Sequence, residues 1–212
     1  DVVLFVIAVV AGRVVPMFTN NAVAGAGARR TQTIEYAALG GILALLLADL
    51  AGVTTWVGVI AAFAALAHAG RLWLWSPLAT RRAPLLWILH LAYAWLVVHL
   101  ALRGASAFGL ASPSLAIHAL TVGGIGGMTL GMMTRSALGH SGRTLNAGTA
   151  EIASYVLVQL AAVARVLVPL VAPAAYVASV HAAGVLWFTA FLVFTLAYWP
   201  ILTRPRVDGR PG

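Results

Sequence analysis

The sequence predicts an all-α, polytopic transmembrane helix bundle of about seven spans, on three observations. The chain is 62% hydrophobic and only 8% charged, with a mean hydropathy of +0.97. A soluble domain of 212 residues has too little interior to hide that much apolar surface. The apolar residues fall into segments of bilayer-crossing length, about 20 residues each. Finally, the arginines lie between these segments and partition by side.

Taken in order, the spans are read at 1–18, 34–51, 54–70, 84–103, 113–134, 149–171 and 175–201. The first ends in GRVVPMFTNN, where Arg13 is a candidate for burial and Asn20 and Asn21 offer amides for capping or turns. A tight AGVTT joins the second and third spans, and RLWLWSPLATRRA joins the third and fourth. Pro84 and Pro113 suit helix first turns, where a missing N–H costs nothing. RSALGHSGRTLNAG is read as a polar loop after span five, and Pro173 breaks the chain before the last span. One transmembrane domain, 1–212, accounts for the whole sequence. It opens on Asp1, with neither an initiator Met nor a signal peptide. The expectation is therefore a C-terminal portion of something longer.

With the spans so placed, Arg29, Arg30, Arg71, Arg81, Arg82, Arg135, Arg143, Arg204, Arg206 and Arg210 fall on one side, and Arg103 on the other. Ten against one over short loops is a positive-inside pattern, which makes that side, and with it the C-terminus, cytoplasmic. The net charge of +8 is thereby accounted for by topology and does not indicate nucleic acid. Cysteine is absent, which excludes disulfides, iron–sulfur clusters and thiolate metal sites. There is no Gly-x-Ser-x-Gly, no Walker A and no His-Glu-x-x-His, and the five acids are too scattered for a two-carboxylate enzyme.

Chemistry is carried by histidine. His99, His118 and His181 are expected within roughly 10 Å of the arginine-poor boundary, at 1.5 Å per residue. His68 and His90 belong towards the opposite ends of their spans, and His140 to the loop beyond span five. Two histidine layers are the arrangement expected for metal or haem sites near each face. His90 and His99, nine residues apart, lie about 180° apart on one helix and cannot share a pocket. Span five also repeats glycine at 123, 127 and 131. The bare stripe suits either close helix packing or a flat macrocycle near His118. Met128, Met132 and Met133 are soft enough for copper, though methionine in apolar helices usually fills space. In span six Glu151, Ser154, Tyr155, Gln159 and Arg165 share an arc of about 140°, a stripe that faces the bundle interior or a hydrated path. Glu151 also suits a first-turn acid favoured by the helix dipole. Asp49 is one acid available to Arg165. Arg135, His140 and Arg143 form a cluster able to bind an anion or a carboxylate-bearing cofactor.

The blocks GRVVPMFTNN (12–21), LWILHLAYAW (86–95), HALTVGGIGGMTLGMMTRSALGHSGR (118–143) and YWPILTRPRVDGRPG (198–212) resemble the NnrS family of bacterial membrane proteins. They run in order through nearly the whole chain. The resemblance implies a protein binding haem, and copper as a further metal, linked to nitric oxide metabolism and nitrosative-stress tolerance. Members are about twice this length, so the likeness is to the C-terminal half. Within the blocks stand His90, His118 and His140 as implied metal or haem ligands, and Arg135 and Arg143 as implied partners for haem propionates. His118 and the two arginines belong near opposite faces, so one haem cannot satisfy both. The competing expectation is a transporter or permease-like bundle in which the span-six stripe lines a hydrated path.

Overall fold

The computed structural model describes residues 1–209; Arg210, assigned above to the arginine-rich side, lies outside them. Among the described residues there are helices and no strands. Seven helices are long and apolar enough to cross a membrane: α1 (Val2–Ala22), α2 (Gln32–Leu50), α3 (Val57–Leu74), α4 (Pro84–Ala107), α5 (Pro113–His140), α6 (Thr149–Val171) and α7 (Pro173–Leu202). The seven-span expectation is borne out. Pro84 and Pro113 stand at the first turns of α4 and α5, and α7 opens on a short 3₁₀ turn at Pro173–Ala175. A second 3₁₀ turn, Pro77–Thr80, precedes α4, entered through Ser76 in the left-handed region (φ 57).

Two boundaries differ from the sequence reading in a way that matters. α1 continues through Pro16 to Ala22, and α5 continues to His140. Arg135 and His140 are therefore helical, and only Arg143 of that trio lies in the following loop. The Arg135 guanidinium sits over the Phe18 ring of α1 at 3.9 Å. This long-range contact helps hold the last turns of α5 in place. Arg13, expected to be a candidate for burial, is exposed.

Helix α4 is the hub. Two thirds of its central window is inside the bundle (67%), against 22% for α7. It packs on α1 and α3 on one side and on α5 and α6 on the other. The glycine stripe of α5 is filled by protein. A Cβ on Gly123 would fall 2.3 Å from Trp95 Cγ, and one on Gly131 would fall 2.9 Å from Ile88 Cγ2. The stripe thus admits α4 to close approach. It does not provide room for a macrocycle, and that alternative is overturned. Large apolar side chains such as Leu47, Phe63, Leu66, Phe188 and Leu196 face outward around the bundle, the distribution lipid requires.

Two spans contain wide turns. Ala119–Gly126 in α5 and Val163–Leu167 in α6 are π-helical, and the two segments touch. In α5 the reason is legible: three glycines weaken the α register, and the Thr121 hydroxyl donates to the Ile117 carbonyl at 3.0 Å.

Candidate functional site

The arginine-rich half of α1–α4 encloses a buried polar network. Arg71, 1% exposed, donates to both carboxylate oxygens of Glu35, through Nε at 2.7 Å and Nη2 at 2.5 Å. Its Nη1 donates to the Ala8 carbonyl at 2.8 Å and the Tyr93 hydroxyl at 2.9 Å. Tyr93 Oη lies 2.6 Å from His68 Nδ1, and His68 Nε2 lies 3.0 Å from the Ala38 carbonyl. A carbonyl can only accept, so His68 carries its proton on Nε2 and its Nδ1 accepts from Tyr93. Arg30 closes the outer side of Glu35 at 3.0 Å. Gly12 leaves the space for the guanidinium, since a Cβ there would lie 1.8 Å from Arg71 Nη2. The network ties four helices together and engages both nitrogens of His68.

His90 belongs to the same region. Its Nδ1 lies 3.0 Å from the Leu86 carbonyl, and its Nε2 is walled in by the Trp75 carbonyl at 3.3 Å and the Thr19 hydroxyl at 3.4 Å. It is 3% exposed. As folded, neither nitrogen of His90 points a lone pair at open space.

The arginine-poor end is different. His99, buried on α4, sets its Nδ1 2.8 Å from the Ala116 carbonyl of α5. His118 on α5 sets its Nδ1 2.6 Å from the Ser114 carbonyl. Both imidazoles must carry the proton on Nδ1, which leaves the Nε2 lone pair free. An Nδ1–H anchored on a carbonyl is the support that ligating histidines commonly have. His99 lines a cavity of about 340 Å³ with Asp1, Asp49 and Arg103. Ala116 and Ile117, which precede His118, line it too, whereas His118 itself does not. Arg103 bridges Asp1 and Asp49, at 2.6 Å for the latter, so Asp49 serves Arg103 and not Arg165. Arg165 instead lies 5.6 Å from the Tyr176 ring centre. His181, expected in the same layer, is exposed.

The remaining sequence candidates lie elsewhere. His140 is exposed beside a cleft it shares with Arg204 and Arg206. Arg135 lines a separate cleft with Arg82, and Arg143 follows in the loop with its Nη1 buried and unpartnered. Met128 and Met132 pack against the core. The span-six stripe faces inward, and Glu151, Tyr155 and Gln159 find partners there. Glu151 accepts from the Gly148 N–H at 2.8 Å and the Tyr198 hydroxyl at 2.6 Å, Gln159 accepts from Trp95 Nε1 at 2.8 Å, and Tyr155 bonds Thr134. Among the described residues, no three histidine or acidic side chains come together as a metal-ligand set.

His99 is the residue that motif matching passed over. Its depth in the span was the signal that could find it, because depth alone placed it in the same layer as His118.

The donor set fits an iron porphyrin or a copper ion in part. Two pre-oriented imidazoles are present at one end, and the rest of a coordination sphere is not formed by the described residues. Seven apolar helices with a polar interior define a multi-pass membrane protein. The family model described as NnrS protein matches residues 1–206, and the chain belongs to that family. No curated protein and no solved structure matches it.

Proposed function

We propose that this chain is a haem-binding integral membrane protein of the bacterial inner membrane, with copper as a further metal, acting in nitric oxide metabolism or the nitrosative-stress response. The C-terminus and the arginine-rich end face the cytoplasm on this reading. The observation that carries it is the pair of imidazoles at the arginine-poor end, His118 and His99, each held on a backbone carbonyl with Nε2 free. His118 is the first ligand and His99 the second residue to test. A bound iron or copper would supply an open coordination position for nitric oxide. The chain's own part is to orient the imidazoles and fix their tautomers. His90 has no part in this site as folded. His140, Arg135 and Arg143 lie at the other end, where His140 and Arg135 line different clefts, and take no part in this site.

The test is the visible spectrum of the purified protein, oxidised and reduced, with metal analysis for iron and copper, beside His118→Ala and His99→Ala. A Soret band that shifts or weakens in either variant supports the assignment. Absence of any band after expression with ample haem sinks the haem reading. The transporter alternative keeps one observation in its favour. Ser154 Oγ, Gln159 Nε2 and Arg165 Nη1 on α6 are buried without partners, and water along the stripe would satisfy them. Solute flux in proteoliposomes tests it.

A further inference from the structure

A polar cleft lies outside the histidine sites, with no histidine in its lining. It measures about 620 Å³ and sits at the arginine-rich end, where α1, α4 and α5 finish or begin. Asn21 enters it from the last turn of α1, Arg82 from the segment before α4, Arg135 from α5 and Asn146 from the loop after α5. Leu85, in the first turn of α4, also lines it, so the positive end of a 24-residue helix faces the cleft.

Two guanidiniums and two amides line this cleft, and no carboxylate does. Among the described residues no acid neutralises these two arginines. Arg30, Arg71, Arg103 and Arg206 each pair with an acid, whereas Arg82 and Arg135 form no ion pair among the described residues. Arg135 is not idle packing either. Stacked over Phe18 at 3.9 Å, it is held in place while its N–H donors remain to be given. A half-buried guanidinium held this way, beside a second one and a helix N-terminus, lacks only an anion. The cleft lies at the ends of membrane-crossing helices, the place where basic pockets between helices meet anionic lipid.

We propose that this cleft binds a phosphate group through Arg82 and Arg135, with Asn21 and Asn146 as neutral partners, and that the phosphate is that of an anionic phospholipid headgroup or a free phosphate ion. Because this site is independent of the haem reading, neither falls with the other.

The experiment uses the full chain in mild detergent. Native mass spectrometry reads retention of phosphatidylglycerol against phosphatidylcholine, and thermal unfolding reads the response to inorganic phosphate. The variants are Arg82→Ala/Arg135→Ala, Asn146→Asp, and the control Arg29→Ala/Arg204→Ala, which removes two arginines of the same face outside the cleft. The expected result is a loss of phosphatidylglycerol retention of about tenfold or more in the first two variants and not in the control. A phosphate-dependent rise in Tm, abolished in the same two variants and without selective lipid retention, assigns the site to the free ion. Equal retention and equal phosphate response in all proteins overturn the proposal, as does an equal loss in the control. Should the double variant fail to fold, Asn146→Asp decides, because its side chain lies in an exposed loop and the new carboxylate opposes only an anion.

Discussion

His68 and His99 are both buried imidazoles on neighbouring helices, and the ends of the bundle they occupy are built on opposite plans. Around His68, Tyr93 and the Ala38 carbonyl engage both ring nitrogens, and Arg71, Glu35 and the Ala8 carbonyl extend the network that holds α1–α4 together. Around His99 and His118, one nitrogen of each ring is anchored and the other is left free. The contrast separates a histidine that supports the fold from one available to a ligand. Burial alone does not: His68 and His99 are 0% and 7% exposed.

The largest effect expected from this comparison is at the supporting end. Glu35→Ala leaves Arg71 buried without its carboxylate and should cost about 3–5 kcal/mol, read as loss of folded, monodisperse protein or a steep fall in Tm. A fall under about 1 kcal/mol would show that water reaches Arg71 and that the network is not closed. Next in size is Gly123→Ala, whose Cβ meets Trp95 at 2.3 Å. Overpacking there should cost about 1–3 kcal/mol, and an unchanged Tm would mean that α4 and α5 do not meet at this register. The comparison itself is sharpened by His68→Leu against His118→Leu. The first strands the Ala38 carbonyl and the Tyr93 hydroxyl and should cost about 1–3 kcal/mol. The second should leave stability within about 1 kcal/mol, since the Ser114 carbonyl it releases lies in the first turn of a helix, while abolishing any Soret shift on ligand addition. Equal destabilisation by both would erase the distinction drawn between the two ends. Smallest of all, Asp49→Asn removes a half-exposed partner of Arg103 (47% exposed) and should shift stability by about 0.2–1 kcal/mol, shrinking with added salt.

Much of the architecture was readable because lipid imposes a simple rule. A span must be apolar for about 20 residues, and the arginines of the short loops check the count. What escaped the sequence was anything set by contact between distant helices. Arg71 reads as a topology-setting charge at a helix end. Only the fold brings it to Glu35 on α2 and Tyr93 on α4. The continuation of α5 to His140 is helped by Phe18, more than a hundred residues earlier in the chain. Similarly, the stripe at 123, 127 and 131 has two physical uses, and choosing between them required knowing that Trp95 and Ile88 fill it. For the candidate site, residue type and depth picked out His118, and depth alone brought in His99. The state of each ring nitrogen was not legible, because it depends on carbonyls that only the folded backbone brings within reach.

The wide turn at Ala119–Gly126 has a consequence for how this membrane span tolerates change in length. It begins at the residue after His118, and it holds extra backbone that an ordinary α-helix of the same rise would not need. Each residue advances an α-helix by about 100°. Deleting one residue within 119–126 would take up this slack and return the segment to regular α-helix, with the flanks on either side, both packed on α4, kept near their present directions. The slack in this turn thus acts as a reserve of length. It lets the flanks keep their register on α4, and the imidazole at the far end its direction, when one residue is lost.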